Sequence, residues 1–449
     1  MKNRIVIIAA ALVLFSVSAH AAPKGYIVRL AQENLLLAKD YGGVQALEKH
    51  DDFLYYEPNY AVELFDTEED EISATQWNLK MINAEKAWNL NCYGNGVKVG
   101  VIDTGISAHI DINASILPGY NYLASNSNTA DNIGHGTFVS GIIAAQNTGI
   151  GIAHRAKIVP LKCFDSGATT YVSTIVTAIY AAVDVYGCKI INISSGLPED
   201  SRALKDAVDY AVEKGVIVVA AVGNYGTGQV YYPAGYDNVI GVGSVDSAKN
   251  VSSFSQKNTS VFVTAPGDGV TGLSRSGNQY RTDYGTSFAA PVVTGIAAIA
   301  ESISECIGES LDASSLKAIL RETAHDLGEV GYDVSYGYGL VDMERCIEKL
   351  LEKTTVFVSP LDKSGSEPVT VKIYNNSGNT ETFSSVFAEY VNAVTHGIQV
   401  TEIVLAPFKK IGIEYVGSDG DVKHFLWRSP AQLLPVGAAR SILSIKELD

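Results

Sequence analysis

The sequence predicts an α/β protein built on a doubly wound, mostly parallel β-sheet, with a small α+β unit before it and a β-rich domain after it. Three observations predict this arrangement. Nearly continuous apolar runs rich in β-branched residues alternate with helical patterns between about residues 76 and 350. Shorter strand-like and helical segments precede residue 65, and helical patterns stop after residue 351. Strands buried on both faces of a parallel sheet show such runs, and alternation of strand and helix is typical of doubly wound folds.

The first residues have the features of an export signal. Lys2 and Arg4 precede an apolar run from Ile5 to Val17, and an Ala-x-Ala cleavage site follows at residues 19–21. A charged start, a short apolar run and small residues before the cleavage point define a secretory signal peptide. We therefore assign residues 1–21 to a signal peptide and expect a secreted protein, whether extracellular, periplasmic or surface-associated. The run is short for a membrane span, and no later segment has the roughly 20 uninterrupted apolar residues of a transmembrane anchor.

Residues 22–72 are expected to form a small unit of their own. Gly25 to Leu30 is strand-like, Gln45 to His50 has a helical pattern, and Phe53 to Leu64 is strand-like again. An acidic stretch, Asp66 to Glu71, follows. Solvated segments of this kind are common sites of proteolytic cleavage, so the unit is expected to be removable.

The central domain, residues 73–350, contains the runs that predict the sheet. They are VKVGVID, KIVPLK, CKIINIS, GVIVVAAVGN and VIGVGSV, and the helical patterns between them include Ser173 to Tyr186 and Ser201 to Lys214. Residues 351–449 instead contain strand-like runs separated by turn residues, such as PVTVKIY and GIQVTEIVLAP. This pattern predicts a separate β-rich accessory domain.

Charge excludes one class of partner. The chain has 33 Lys and Arg residues against 49 Asp and Glu residues, a formal net charge of −16 at pH 7. A polyanion is repelled on average by such a surface, and no cluster of Lys and Arg offsets it. Nucleic acid is therefore not an expected partner.

The chain has five cysteines, an odd number, so at least one thiol lies outside any intramolecular disulfide. Export permits disulfides, and Cys306 with Cys346 is the pair that we expect first. Small buried thiols are the alternative interpretation for Cys163 and Cys188. No CxxC motif is present and His is sparse near the cysteines, so a zinc site is not expected.

Three residues of the central domain form an ordered set that suits amide hydrolysis. Asp103 ends the first apolar strand, His135 lies between two glycines before a helical run, and Ser287 begins an Ala-rich helix. Hydrolysis needs a nucleophile, a base that takes its proton, and a carboxylate that orients the base. Asn224, at the end of another buried strand, adds an amide that suits stabilisation of the oxyanion.

Around these residues the sequence resembles the subtilisin-like serine proteases, or subtilases. Their three signature regions match VGVIDTGI, GHGTFVSGIIAA and GTSFAAPVVTGIAA, in the order Asp, His, Ser that subtilisin has. The resemblance implies a subtilisin-like fold and a serine endopeptidase that forms an acyl-enzyme without a cofactor. It makes Asp103 the orienting carboxylate, His135 the base, Ser287 the nucleophile and Asn224 the oxyanion donor.

The resemblance also implies a substrate groove and a built-in inhibitor. The segment INISSGLPE is similar to the one that pairs with the substrate main chain, through Ser194, Ser195 and Gly196. Extended protein or peptide substrates bind such an edge by adding a strand. Residues 22–72 resemble the propeptide that assists folding and blocks the cleft, so we expect a zymogen that cleaves itself between about Phe65 and Gln76.

A structural calcium ion is left open. Asp111 matches a calcium ligand of many subtilisins, but the segment AAQNTGIGIAHRA is shorter than the loop that supplies the other ligands. No metal ligand is therefore assigned.

Three other interpretations fit the sequence less well. Asp103 and Asp165 each begin the short motif of aspartic proteases, which share one proton between two carboxylates, but those enzymes are β folds and leave His135 and Ser287 without roles. An α/β-hydrolase esterase needs G-x-S-x-G and the order Ser, Asp, His, and neither is present. A catalytically inactive subtilase that only binds other molecules is disfavoured because the chemical positions are intact.

Overall fold

The computed structural model describes residues 24–31, 36–64, 76–146, 150–354, 356–359, 369–376, 379–391, 394–405, 410–415 and 421–427. The expected signal peptide and the acidic stretch lie outside these residues.

The helices are α1 (Tyr41–Leu47), α2 (Trp77–Met81), α3 (Glu85–Trp88), α4 (His135–Ala144), α5 (Val172–Asp184), α6 (Arg202–Glu213), α7 (Thr286–Ile307), α8 (Ala313–Thr323) and α9 (Met343–Leu351). The strands before α7 are β1 (Tyr26–Leu30), β2 (Leu36–Ala38), β3 (Phe53–Pro58), β4 (Ala61–Leu64), β5 (Lys98–Asp103), β6 (Tyr120–Asn121), β7 (Lys157–Lys162), β8 (Thr169–Tyr171), β9 (Ile190–Ile193), β10 (Ser195–Gly196), β11 (Ile217–Ala221), β12 (Ile240–Val245), β13 (Val263–Pro266), β14 (Asp268–Leu273) and β15 (Tyr280–Tyr284). Those after α9 are β16 (Val356–Val358), β17 (Val369–Asn375), β18 (Glu381–Val391), β19 (Val394–Leu405), β20 (Lys410–Tyr415) and β21 (Asp421–Trp427).

Within the described residues the central sheet has seven strands in the order β13-β12-β11-β9-β5-β7-β6, and every neighbouring pair is parallel. The five apolar runs form β5, β7, β9, β11 and β12, so the prediction of a doubly wound parallel sheet is confirmed. The strand order reverses between β5 and β9. Open α/β sheets bind ligands outside the carboxyl ends of their strands at such a reversal.

Helices cover both faces of this sheet. One apolar core includes residues of α4, α7, α8 and α9, and the other includes residues of α5 and α6. Among the described helices, α7 is the one long and apolar enough to cross a membrane, but its most apolar window is entirely buried inside the protein. A Cβ at Gly295 in this helix would lie 2.7 Å from the Ile152 side chain, so glycine allows α7 to approach that segment. The helix is thus a core helix.

The N-terminal segment forms a sheet in the order β2-β1-β3 and then departs from it. Predicting a single strand from Phe53 to Leu64 was wrong, because the chain leaves the sheet after Pro58 and resumes as β4. Asn59 lies at this break, where its side chain accepts a hydrogen bond from the backbone N–H of Ser173 at 3.0 Å. β4 then pairs antiparallel with β8 and β10 of the central domain.

The chain after α9 returns to the central domain before its last strands. Phe357 on β16 is 1% exposed and belongs to the apolar core that includes α7. The Lys372 ammonium donates to the carbonyl of Asn89 at 3.1 Å. The strands β16, β17 and β20 form one sheet, and β18, β19 and β21 form another. The domain division at residue 350 stays a prediction.

All five cysteines lie within the described residues, and no disulfide joins any two of them. The expected disulfide between Cys306 and Cys346 was therefore wrong. Cys346, on α9, is fully buried in the core, and burial raises the pKa of its thiol to about 12. Burial also raises the pKa of Cys92, and the nearby Cys306 thiol adds to that rise. The interpretation of Cys163 and Cys188 as small buried thiols is confirmed.

Candidate active site

Asp103 and His135 meet at the point where the strand order reverses. Asp103 is the last residue of β5, and His135 is the first residue of α4. The imidazole Nδ1 lies 2.8 Å from Asp103 Oδ1 and 3.0 Å from Oδ2, and both side chains are almost fully buried. A carboxylate in this position holds the ring in the tautomer whose Nδ1 carries the proton.

Glycines allow these two elements to lie so close. A Cβ at Gly136 would lie 2.3 Å from the Gly105 carbonyl and 3.0 Å from Asp103 Oδ1. Real Cβ atoms do not approach backbone oxygen this closely, so any larger residue would separate His135 from Asp103. The Gly136 N–H also donates to the Thr104 hydroxyl at 2.8 Å, which ties α4 to the end of β5.

Sequence reasoning missed Asp131, which organises the start of α4. Its Oδ1 accepts from the backbone N–H groups of Ile133 (3.0 Å) and Gly134 (2.8 Å). Its Oδ2 accepts from the N–H (2.9 Å) and the hydroxyl (2.7 Å) of Thr137. Acidic side chains commonly satisfy the orphan N–H groups of a helix start, so an Asp four residues before His135 was the available signal.

Ser287 and Asn224 are held together by the first residue of α7. Asn224 Oδ1 accepts from the N–H (2.8 Å) and the hydroxyl (2.7 Å) of Thr286. The amide is therefore oriented with its oxygen toward α7 and its NH₂ group as the remaining donor. A Cβ at Gly285 would lie 2.9 Å from Asn224 Nδ2, so glycine leaves room for this donor.

Ser287 lies next to the segment predicted to bind substrate. Its hydroxyl donates to the Ser194 carbonyl at 3.1 Å, and the Ser194 hydroxyl donates to the Ser287 carbonyl at 2.9 Å. The ring of Phe288, the next residue on α7, packs against the His135 imidazole with centroids 5.4 Å apart. These contacts bring the ends of β5, β9 and β11 and the starts of α4 and α7 into one site.

β4 pairs with the segment predicted to bind substrate. Leu64 lies opposite Ser195 and Glu63 opposite Gly196 in an antiparallel ladder. The Leu64 N–H donates to the Ala168 carbonyl at 3.1 Å on the other side. A segment of this chain therefore pairs with Ser195 and Gly196 in the manner of an extended peptide that adds a strand.

Comparison with known proteins agrees with this geometry. The model of the subtilase family matches residues 94–339. The chain belongs to the subtilase family. It is 40% identical to subtilisin DY of Bacillus licheniformis over 276 residues, which cover 60% of this chain and 97% of that protein. It is 37% identical to subtilisin Savinase of Lederbergia lenta over 271 residues, covering 60% of this chain and 97% of the relative.

A longer relative is matched only in part. The minor extracellular protease Epr of Bacillus subtilis (strain 168) is 34% identical over 319 residues, which cover 67% of this chain but 48% of Epr. This subtilase thus spans about half the length of Epr. Membership in the family makes it a subtilisin-type serine endopeptidase, and subtilases need no cofactor for catalysis.

A buried lysine, Lys162, interacts electrostatically with the Asp103 carboxylate in this subtilase. Lys162 is 3% exposed, and its ammonium donates to the Thr104 carbonyl at 2.5 Å and to Asn132 Oδ1 at 3.0 Å. Burial lowers the pKa of Lys162, and the carboxylates of Asp131, Asp165 and Asp103 oppose that shift. The ammonium thus ties the loop after β5 to the loop that precedes α4.

The hydrogen bonds of Asp103 and Asp165 do not support the aspartic-protease interpretation. Asp165 accepts from the Asn132 side chain and from the Ser166 N–H. Asp103 is bound to His135. Among the described residues no hydrogen bond joins the two carboxylates, whereas a dyad of this type shares a proton.

The Asp111 carboxylate makes a hydrogen bond within the protein. Its Oδ2 accepts from the Tyr280 hydroxyl at 2.9 Å. The part of the chain that the structure describes has no group of three or more His, Cys, Asp or Glu residues placed to hold a metal. Residues 147–149 of the shortened segment lie outside the description.

Proposed function

We propose that the protein is a secreted serine endopeptidase that is made as an inactive precursor and hydrolyses peptide bonds through Asp103, His135 and Ser287. The observation that carries the proposal is the buried contact of 2.8 Å between His135 Nδ1 and Asp103 Oδ1, beside α7, whose second residue is Ser287. A catalytic triad needs this contact so that the opposite ring nitrogen, Nε2, can accept a proton.

In the proposed reaction Ser287 Oγ attacks the substrate carbonyl carbon while its proton moves to His135 Nε2. The Asp103 carboxylate stabilises the imidazolium that results. His135 then protonates the leaving amine as the C–N bond breaks, which leaves an acyl-enzyme on Ser287. A water molecule, deprotonated by His135, releases the acid and restores the hydroxyl.

The oxyanion that forms during each attack needs donors. The Asn224 NH₂ group and the backbone N–H of Ser287 are the proposed pair. Donors fixed in advance stabilise the transition state without reorganisation when the charge develops. The two hydrogen bonds from Thr286 to Asn224 Oδ1 support this role because they fix the amide in one orientation.

Labelling tests this proposal. A fluorophosphonate should modify Ser287 and abolish hydrolysis of unfolded casein, and Ser287→Ala should be neither labelled nor active. Ser276→Ala, in an exposed turn, is a control that should retain both properties. A processed protein that binds casein without hydrolysing it would support the inactive-binder alternative. Activity with an optimum near pH 4 and without labelling would instead support an aspartic protease with Asp103 and Asp165 as its two carboxylates.

The proposed inhibitor, residues 22–72, holds the central domain at two helix starts. The Glu57 carboxylate accepts from the Ser201 hydroxyl (2.6 Å) and from the N–H groups of Arg202 (2.9 Å) and Ala203 (3.1 Å) at the start of α6. At the start of α5, the Asn59 side-chain oxygen accepts a hydrogen bond from the Ser173 N–H. A carboxylate at a helix N-terminus satisfies orphan donors and interacts favourably with the helix dipole. These contacts support an inhibitor that stays bound in the groove.

The register of β4 supports one cleavage point. Leu64 lies opposite Ser195, so a bound peptide in this register presents its next residue to Ser194, which is hydrogen-bonded to Ser287. In this chain the bond after that residue is Phe65–Asp66. We therefore propose self-cleavage there, at the edge of the range expected from the sequence, which lies outside the described residues.

Maturation is tested by the inactive variant. Ser287→Ala should accumulate with residues 22–65 attached, and the wild-type protein should first show a new N-terminus at Asp66. Processing of Ser287→Ala at the same bond in the absence of other proteases would refute self-cleavage. Export is tested by locating the protein after replacing the apolar residues of segment 5–17 with Ser. Its similarity to a relative named as an extracellular protease supports secretion.

A further inference from the structure

One side chain of β4 makes a contact in the groove that the proposed mechanism does not use. Glu63 Oε2 accepts a hydrogen bond of 2.9 Å from the Tyr225 hydroxyl. Val62 and Leu64, on either side of Glu63, are buried, while Glu63 itself is half-buried. Since side chains alternate along a strand, Glu63 faces away from the core and toward Tyr225.

The register gives Glu63 a defined place relative to the nucleophile. With Leu64 opposite Ser195 and Glu63 opposite Gly196, a peptide in this register has Leu64 as the second and Glu63 as the third residue before the bond presented to Ser287. This numbering rests on the proposed function, because it takes the β4 register as that of a substrate.

Tyr225 is held in place for this contact. It follows Asn224 directly, and its ring stacks on Tyr231 with centroids 5.4 Å apart and an interplanar angle of 12°. Tyr231 is only 5% exposed, so the Tyr225 ring rests on a fixed surface. A donor that is positioned before binding loses less side-chain entropy when the ligand arrives.

The donor stays protonated over a wide pH range. Partial burial raises the pKa of Tyr225, and the hydrogen bond from Tyr225 to the Glu63 carboxylate raises it further. The phenol therefore donates at neutral and at mildly alkaline pH. Hydrogen bonds to a charged acceptor contribute more than bonds to a neutral one, so a carboxylate gains more here than an amide.

We propose that Tyr225 is a specificity-determining residue that selects a Glu side chain at the third position before the cleaved bond. Because Tyr225 is 47% exposed, water competes for the bond. We therefore expect a modest preference, about fivefold in kcat/KM for Glu over Gln. The effect should appear mainly in KM, since the third residue lies away from the reacting atoms.

Four peptides test the proposal on the self-processed enzyme. They share the sequence Ala-Val-Xaa-Leu-Phe before the cleaved bond, with Glu, Gln, Ala or Lys as Xaa. Wild-type enzyme should cleave the Glu peptide about fivefold faster than the Gln peptide. Tyr225→Phe retains the stacked ring but lacks the hydroxyl, so the Glu-to-Gln ratio should fall to about one.

A matched control is Tyr210→Phe, which removes a hydroxyl that donates to Asp184 Oδ1 at 2.7 Å on the helices of the central domain. This variant should keep the full preference for Glu. Equal cleavage of the Glu and Gln peptides by wild-type enzyme, or faster cleavage of the Lys peptide, would overturn the proposal while leaving the proposed function intact. Failure to cleave any of the four peptides, together with absence of fluorophosphonate labelling, would refute both.

Discussion

Replacing Asp131 with Asn should weaken both the fold and the reaction, although Asp131 is assigned no chemical step. The carboxylate accepts four hydrogen bonds at the start of α4, two on each oxygen. Asn keeps the oxygen that accepts from Ile133 and Gly134. It replaces the other oxygen with an NH₂ group that faces the Thr137 N–H, so that a donor meets a donor.

The size of the effect follows from burial. Asp131 is 6% exposed, so water cannot replace the lost acceptor readily. Leaving one buried N–H unsatisfied costs about 1–3 kcal/mol, and we expect a loss of about 2 kcal/mol in the free energy of unfolding. The start of α4 carries His135, and a displacement of about 1 Å at a reacting group can lower the rate on the order of 10²-fold. We expect kcat to fall by about 10- to 100-fold with KM nearly unchanged, since the hydrogen bonds of the Asp131 carboxylate go to residues 133–137 at the start of α4.

Unfolding is best measured by urea titration in the Ser287→Ala background, where self-digestion is absent, and kcat in the active enzyme after titration of active sites. Asp246→Asn is a matched control, because Asp246 also accepts from two backbone N–H groups, of Ala248 (2.9 Å) and Asn250 (2.8 Å), but in an exposed loop. The control should leave kcat unchanged. An Asp131→Asn enzyme that is less stable yet has wild-type kcat would refute the argument that Asp131 positions His135.

Three further predictions test other parts of the molecule. Asn224→Asp retains the oxygen that accepts from Thr286 but replaces the oxyanion donor with an acceptor. Steady-state assays should therefore show kcat lower by at least 10²–10³-fold, with the free energy of unfolding little changed; a loss in kcat below tenfold would contradict the donor role. Glu57→Ala removes three hydrogen bonds to the start of α6 and so weakens binding of the inhibitor. The lag before activity appears during maturation should shorten about tenfold, and an unchanged lag would show that other contacts hold the inhibitor. Phe357→Ala should lower the free energy of unfolding by about 3–5 kcal/mol in urea titration, and a loss below about 1 kcal/mol would mean that the core does not need β16.

Much of the central domain was predictable because its signals are local. Strands such as β5 and β11 are buried on both faces of the sheet and are read as continuous apolar runs. Asp103, His135, Asn224 and Ser287 could be predicted because each lies at or just after the end of a strand or at the start of a helix, where side chains reach the edge of a sheet. The segments around three of them also match long signatures of a known family.

Contacts between distant segments were not predictable in the same way. Asp131 is an ordinary loop residue in the sequence, and its role depends on the path by which the loop turns back onto α4. The expected disulfide failed because helix pattern says nothing about which buried thiols face each other. The break between β3 and β4 was not predictable because both segments have strand-like sequences. They are separated only by pairing with different sheets, β3 with β1 and β4 with β10.

By itself the sequence determined the class of fold, the family and the residues proposed for the chemistry, since periodicity, end residues and motifs are properties of short stretches. Only the tertiary structure decided that β4 pairs with β10 in one register, and that Glu63 meets Tyr225 across 162 positions of the chain. It also decided that Phe357 completes the core of the central domain. The physical reason is that hydrogen bonding and packing act between neighbours in space, and neighbours in space are chosen by the whole fold.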